Sequence, residues 1–145
     1  RSASLREAGY RQALSEAHIP FNPDLVRVGL YKRETAKAPA AALLSLPQRP
    51  TAIFAANDLS AIATIQVAAE LGLEVPGDLS VIGFDDIPEA SQMTPSLTTI
   101  RQPMKKLGAA AAGMLITLLN GEPLAQTNIR LPTGLVPRAT TAPLR

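Results

Sequence analysis

The 145-residue sequence has no cysteine and a single histidine, His18. Without thiols there are no disulfides, no thiolate nucleophile and no Cys-ligated zinc, and one imidazole cannot assemble a metal cluster. Charge is also sparse: 18% of residues are charged, the formal net charge is +2, and no basic run exceeds Lys32-Arg33 in length. A surface that holds a duplex needs a basic patch, so this segment alone is not expected to bind nucleic acid. No apolar run reaches the roughly 18 residues of a membrane span. Gly-x-Ser-x-Gly, a phosphate-binding glycine loop and a His partner for a nucleophile are all missing. The expectation is a protein that is not an enzyme and uses no cofactor or metal.

What is present suffices for one domain, with 46% hydrophobic residues to build a core. The chain opens Arg1-Ser2-Ala3-Ser4, without methionine or a signal-peptide pattern, and runs almost at once into a helix, so an upstream part is expected. Ser4-x-x-Glu7 has the form of a capping box, with Ser2 as the other possible start. Leu5, Tyr10, Ala13, Leu14 and Ala17 continue at helical spacing to His18, before Pro20. Residues 25–29 read as a strand, 30–38 as a basic connection, and Pro39 as the first turn of a helix through Leu46. The apolar run 51–55 reads as a strand buried on both faces. A helix over 58–71 ends at Gly72, and a second buried strand spans 79–84. After an irregular stretch with Pro88 and Pro95, residues 97–100 are extended. A long helix from Pro103 stops at Asn120-Gly121, and short extended pieces surround Ile129 and Leu135. Alternating strands and helices give an α/β class with a mostly parallel sheet flanked by helices.

Ligands of an open parallel sheet sit beyond the carboxyl ends of its strands. Asn57-Asp58 and Asp85-Asp86 follow two separate strands there, so amide and carboxylate groups share one rim. Such groups pair with hydroxyls, the polar handles of a saccharide. Asp58 reads as a helix N-cap and Asp86 as a brace for its loop, which leaves Asn57 and Asp85 for the ligand. Adjacent carboxylates point apart and no third acid is suitably spaced, which argues against a metal. His18 reads as a cation at a helix end. The helix 58–71 is apolar around its whole circumference. Covering its second side needs a further layer, within the chain or from a second copy; the second copy is the expectation, through Leu59, Ile62, Ala63, Ile65, Gln66 and the neighbouring 87–95 segment. The stripe Leu107, Ala111, Met114, Leu115 and Leu118 likewise needs cover from outside this chain, so that helix should be displaced, paired with another chain or poorly ordered.

The order of features resembles the LacI/GalR transcription regulators. The segments that carry the likeness are Arg6-x-x-Gly9-Tyr10, Pro50-Thr51-Ala52-Ile53-Phe54-Ala55-Ala56-Asn57-Asp58 and Gly72-Leu73-x-Val75-Pro76-x-Asp78-Leu79-Ser80-Val81-Ile82-Gly83-Phe84-Asp85-Asp86. Thr94-Pro95-x-Leu97-Thr98-Thr99-Ile100-x-Gln102-Pro103, Leu107-Gly108, Leu131-Pro132-Thr133 and Arg138-x-Thr140 follow in the same order. The resemblance implies a periplasmic-binding-protein-like core. Residues 1–102 would belong to the C-terminal lobe, 103–122 to a helix of the N-terminal lobe, and 123–145 to a return into the C-terminal lobe. A helix-turn-helix headpiece and most of the N-terminal lobe would lie outside this sequence. It further implies a cytoplasmic, dimeric repressor that reads operator DNA through that headpiece, with effector contacts at Ser2, Arg6, Tyr31, Asn57 and Asp85. The stretch 30–39 departs from the family by losing an acid before its aromatic and gaining Lys32, Arg33 and Lys37, which points to a phosphorylated or carboxylated effector beside the sugar-like one. The rival is the sugar-binding component of an ABC transporter.

Overall fold

The computed structural model describes residues 2–143; Arg1, Leu144, Arg145 and the Ser2 side chain lie outside the described residues. Helix α1 spans Ser2–Glu16, so the earlier of the two possible starts applies and Ser4 is already helical. It ends as a Schellman turn: Ile19 N donates to Leu14 O and His18 N to Ser15 O, with His18 left-handed at φ 57°. Helix α2 spans Arg33–Leu44 and begins six residues before the expected Pro39, which sits inside it. There the proline lacks an N–H for the Thr35 carbonyl, a cost that the buried face Ala36, Ala40, Leu43 and Leu44 outweighs.

Strand β1 is Ala52–Phe54, helix α3 Asp58–Glu70 and strand β2 Ser80–Asp85. A short helix α4, Pro88–Gln92, occupies the stretch expected to be irregular, started by its proline. Strand β3 is Thr98–Arg101, helix α5 Met104–Leu119 and strand β4 Gly134–Val136. The sheet order is β1-β2-β3-β4, parallel for the first three and antiparallel for the last. This is the α/β sheet flanked by helices that the alternation predicts.

The core lies between this sheet and the helices α2 and α3, where Ala61, Ala68, Leu79, Val81 and Leu97 are fully enclosed. Ile62, Ala63 and Ile65 belong to that buried set, with α2 packed along α3. The second layer over the all-round apolar helix therefore comes from within the chain, and those side chains do not require a second copy to cover them. Leu59 and Gln66 remain half-buried. Gly83 allows the close fit at the centre: a Cβ there would overlap the Asp58 carboxylate.

Two strand expectations fail. Among the described residues no strand forms around Ile129, and the next ordered element after that stretch is β4. Residues 26–29 lie outside the sheet, with Val26 extended, and follow a single 3-10 turn over Pro23–Leu25. As a result β1 has a free edge and is not buried on both faces: Phe54 is 39% exposed. The tail returns to the sheet, where Val81 N donates to Thr140 O and Thr98 N to Thr140 Oγ1. Helix α5 is helical and has no buried residue; Leu107, Leu115, Leu118 and Leu119 face solvent in this chain. The stripe is thus neither disordered nor displaced on to another surface of the same lobe.

Candidate functional site

Strands β1, β2 and β3 end at a common rim, and the groups there come from the last residue of β2 and from residues just beyond the other strands. Asp85 closes β2 with φ 121°, a backbone region that non-glycine residues rarely occupy, and Asp86 follows at φ 61°. This pair of unusual angles turns the two carboxylates apart. Asp86 points back into the protein, accepting from Arg138 Nη2 at 2.6 Å and from Arg101 Nε at 2.5 Å. Burial works to raise its pKa, but the hydrogen bonds and charges of Arg101 and Arg138 outweigh it and hold the carboxyl below its ordinary value. The bracing role expected of Asp86 is what the structure shows.

Asp85 turns toward the rim. Its Oδ1 accepts from Gln102 Nε2 at 2.6 Å and lies 3.7 Å from Arg6 Nη2. The Arg6 guanidinium stacks on the Phe84 ring at 3.9 Å, approaches the Tyr31 ring at 5.8 Å and donates to Ala56 O at 2.8 Å. Stacking and a carbonyl bond fix the plane of the fork while leaving its remaining N–H groups to a ligand. Arg6, Tyr31 and Asp85 are therefore brought together. Ser2 lies one helical turn before Arg6, but its side chain is outside the described residues.

Asn57 takes the capping role expected of Asp58, and Asp58 takes neither a cap nor a ligand role. Asn57 is the N-cap of α3, with Oδ1 accepting from Ser60 N, while its Nδ2 donates to Tyr31 O. Each end of this amide makes one bond inside the protein, which holds the Tyr31 backbone beside the rim, and keeps a second N–H and a second lone pair. That backbone needs holding, because Leu30 and Tyr31 are both left-handed, at φ 54° and 61°. Asp58, fully buried one residue later, is a cross-brace: Oδ2 accepts from Ile87 N at 2.9 Å and Oδ1 from Thr99 Oγ1 at 2.5 Å. Two of the three basic residues at the start of α2 are also engaged, Arg33 on Glu89 at 2.6 Å and Lys37 on Glu70 at 3.6 Å. The motive for an anionic effector weakens accordingly.

Sequence reasoning does not select Phe84 and Gln102. The alternating burial of β2 places Phe84 opposite the core-facing Val81 and Gly83. Gln102 follows β3 as Asp85 ends β2, so the strand-end rule applied to a third strand finds it.

The family model of the periplasmic binding protein-like domain matches residues 1–141. The chain belongs to that family. It is 42% identical over 139 residues to the HTH-type transcriptional regulator DegA of Bacillus subtilis (strain 168), covering 96% of this chain and 41% of that protein. It is 42% identical over 123 residues to the HTH-type transcriptional repressor PurR of Photorhabdus laumondii, covering 84% of this chain and 36% of that one. Among solved structures, the Lac repressor dimer bound to operator and the anti-inducer ONPF superposes with a TM-score of 0.87 at 35% identity, over 97% of this chain and 48% of that one. The CelR–cellobiose complex gives 0.89 at 32%, over 93% and 41%. The chain thus spans about two fifths of the length of the curated relatives it matches.

Proposed function

We propose that this chain is the effector-binding part of a cytoplasmic LacI-type repressor and that it takes a neutral, hydroxyl-rich small molecule at the Arg6–Asp85 rim. One observation carries the reading. A charged pair of opposite sign sits 3.7 Å apart on an aromatic floor, with Tyr31 beside it and Asp85 Oδ2 without a hydrogen bond among the described residues. Adjacent hydroxyls accept from the guanidinium and donate to the carboxylate, while the net-neutral pair gains nothing from an anion. The cellobiose bound to CelR has that chemistry, and the regulators among the relatives favour this reading over a transport component.

The exposed stripe of α5 supports placing residues 103–122 against the N-terminal lobe, and the bonds of Arg138 and Thr140 support returning 123–145 to this one. Lobe closure around the effector then shifts the population between states that present the headpieces of a dimer differently to operator DNA. Of the α3 residues expected at such a dimer, Leu59 and Gln66 are the ones that this chain leaves half-buried.

Calorimetry on the full-length regulator tests the site with cellobiose, single neutral sugars and sugar phosphates. A charged hydrogen bond contributes about 1.5–3 kcal/mol, so Asp85→Ala should weaken binding by roughly one to two powers of ten. Unchanged affinity for a sugar that the parent binds would remove Asp85 from the site. Tighter binding of the phosphates, falling with salt, would overturn the neutral assignment.

A further inference from the structure

Helix α5 ends at the one place in the chain where an asparagine precedes a glycine. Asn120 is its C-cap, at φ −76° and ψ 0°, and Gly121 follows left-handed at φ 75°. Two bonds close the turn: Gly121 N donates to Leu118 O at 3.0 Å and Glu122 N to Thr117 O at 3.1 Å. The side-chain amide of Asn120 makes no hydrogen bond among the described residues, and residues 118–123 are all exposed. No residue of α5 is buried, so its last turn has little packing to oppose fraying.

We propose that Asn120 is a site of spontaneous covalent modification, losing its side-chain amide through a cyclic imide formed with Gly121. The Gly121 nitrogen gives its proton to solvent and attacks Asn120 Cγ. The Cγ–Nδ2 bond breaks, ammonia leaves with a proton taken from solvent, and a succinimide ring closes. Water then opens the ring on either side. Cleavage of the bond to Cγ leaves aspartate. Cleavage of the bond to the main-chain carbonyl leaves isoaspartate, with the chain running through Cβ and Cγ. One water enters and one ammonia leaves, and nothing is oxidised or reduced.

Ring closure needs an N–H on the following residue and room beside it, and the four asparagines differ in both. Asn22 precedes Pro23, which has no N–H. Asn57 is buried, and its amide is bonded to Ser60 N and Tyr31 O. Asn128 is exposed but precedes Ile129, whose branched side chain crowds the nitrogen. Gly121 has no side chain, and even a Cβ there would meet nothing within 4 Å. The attack also requires Asn120 to leave its helical ψ and the Gly121 N–H to leave Leu118 O, which fraying of the last turn supplies.

Either product alters the end of α5. A carboxylate at a helix C-terminus opposes the macrodipole. The isoaspartate also adds a methylene to the main chain, which moves the Gly121 and Glu122 N–H groups off the carbonyls they cap. Leu118 and Leu119 lie on that turn. With α5 seated on an N-terminal lobe, the conversion loosens the seat as the protein ages. That consequence rests on the proposed function; the chemistry does not.

Mass spectrometry of the unaltered 145-residue chain, aged at neutral pH in water enriched in heavy oxygen, tests the site. Trypsin releases residues 107–130 as one peptide, which carries both Asn120 and Asn128. Asn120 should gain solvent oxygen at least about tenfold faster than Asn128, as two chromatographically separable products, aspartate and isoaspartate. The same peptide, released before ageing, sets the rate without a folded helix end. An Asn120 that stays intact in the chain while the free peptide converts would overturn the site, because the cap then protects it. Equal rates at Asn120 and Asn128 would remove the selectivity assigned to Gly121. Aspartate alone would refute the ring, since direct hydrolysis of the amide yields no isoaspartate.

Discussion

Replacing Asp58 with alanine distinguishes a helix cap from a cross-brace by size alone. As a first-turn carboxylate near the α3 N-terminus, Asp58 would be worth about 0.5–2 kcal/mol. The structure gives it more to do: it is fully buried and accepts from both Ile87 N and Thr99 Oγ1. Each charge-assisted bond contributes about 1.5–3 kcal/mol, and removal leaves a buried N–H and hydroxyl without partners. Allowing for overlap, Asp58→Ala should cost roughly 3–5 kcal/mol, a large part of the 5–15 kcal/mol typical of a domain. Asp58→Asn keeps one acceptor oxygen and should fall between. Thr99→Val removes one bond and should cost about 1.5–3 kcal/mol, and combining it with Asp58→Ala should cost less than the sum. Urea unfolding followed by far-UV circular dichroism at neutral pH measures all four. A loss below about 1 kcal/mol for Asp58→Ala, additive with Thr99→Val, would return Asp58 to an ordinary helix-end role and refute the brace.

Acid should expose the Asp86 network. Because the folded carboxyl lies below its ordinary 3.8, its contribution is fully present above that value and drains away as pH falls through it toward the lower folded value. Asp86→Asn should flatten that limb of the stability–pH curve, and an unchanged limb would assign the acid sensitivity elsewhere. Gly83→Ala should destabilise by about 3 kcal/mol, since its Cβ meets Asp58 and the Leu97 side chain; a neutral result in thermal melts would mean that the strand relaxes freely. Leu115→Lys on the solvated α5 should change the stability of this chain by no more than about 0.5 kcal/mol and reduce its self-association in sedimentation; a marked loss of stability would show that α5 is packed.

The parts of the fold legible in the sequence are those whose local signals agree. Residues 79–86 combine a buried apolar run, a glycine at the tightest contact and two acids at the strand end, and β2 with its rim groups follows directly. Reading Pro39 as a helix start shortens α2 and leaves Ala36 out of the buried set, so the cover that α2 gives to α3 from within the chain is underestimated. Asn57 and Asp58 are neighbours with overlapping capping chemistry, and only the tertiary position of Thr99 and Ile87 separates their roles. The unpaired state of 26–29 leaves no trace in composition, since an edge strand and a free extended segment share one pattern.

The stitching of residues 138–142 also bears on how the protein is made. Thr140 binds Val81 through its carbonyl and its hydroxyl, Arg138 reaches Leu97 O and Asp86, and Ala142 N donates to Ser80 Oγ. These partners are translated some forty to sixty residues earlier. Parallel β2 and β3 therefore leave the ribosome with their central polar groups unanswered. They stay so until the far end of the segment emerges, an interval in which a nascent chain of this kind has most need of a chaperone.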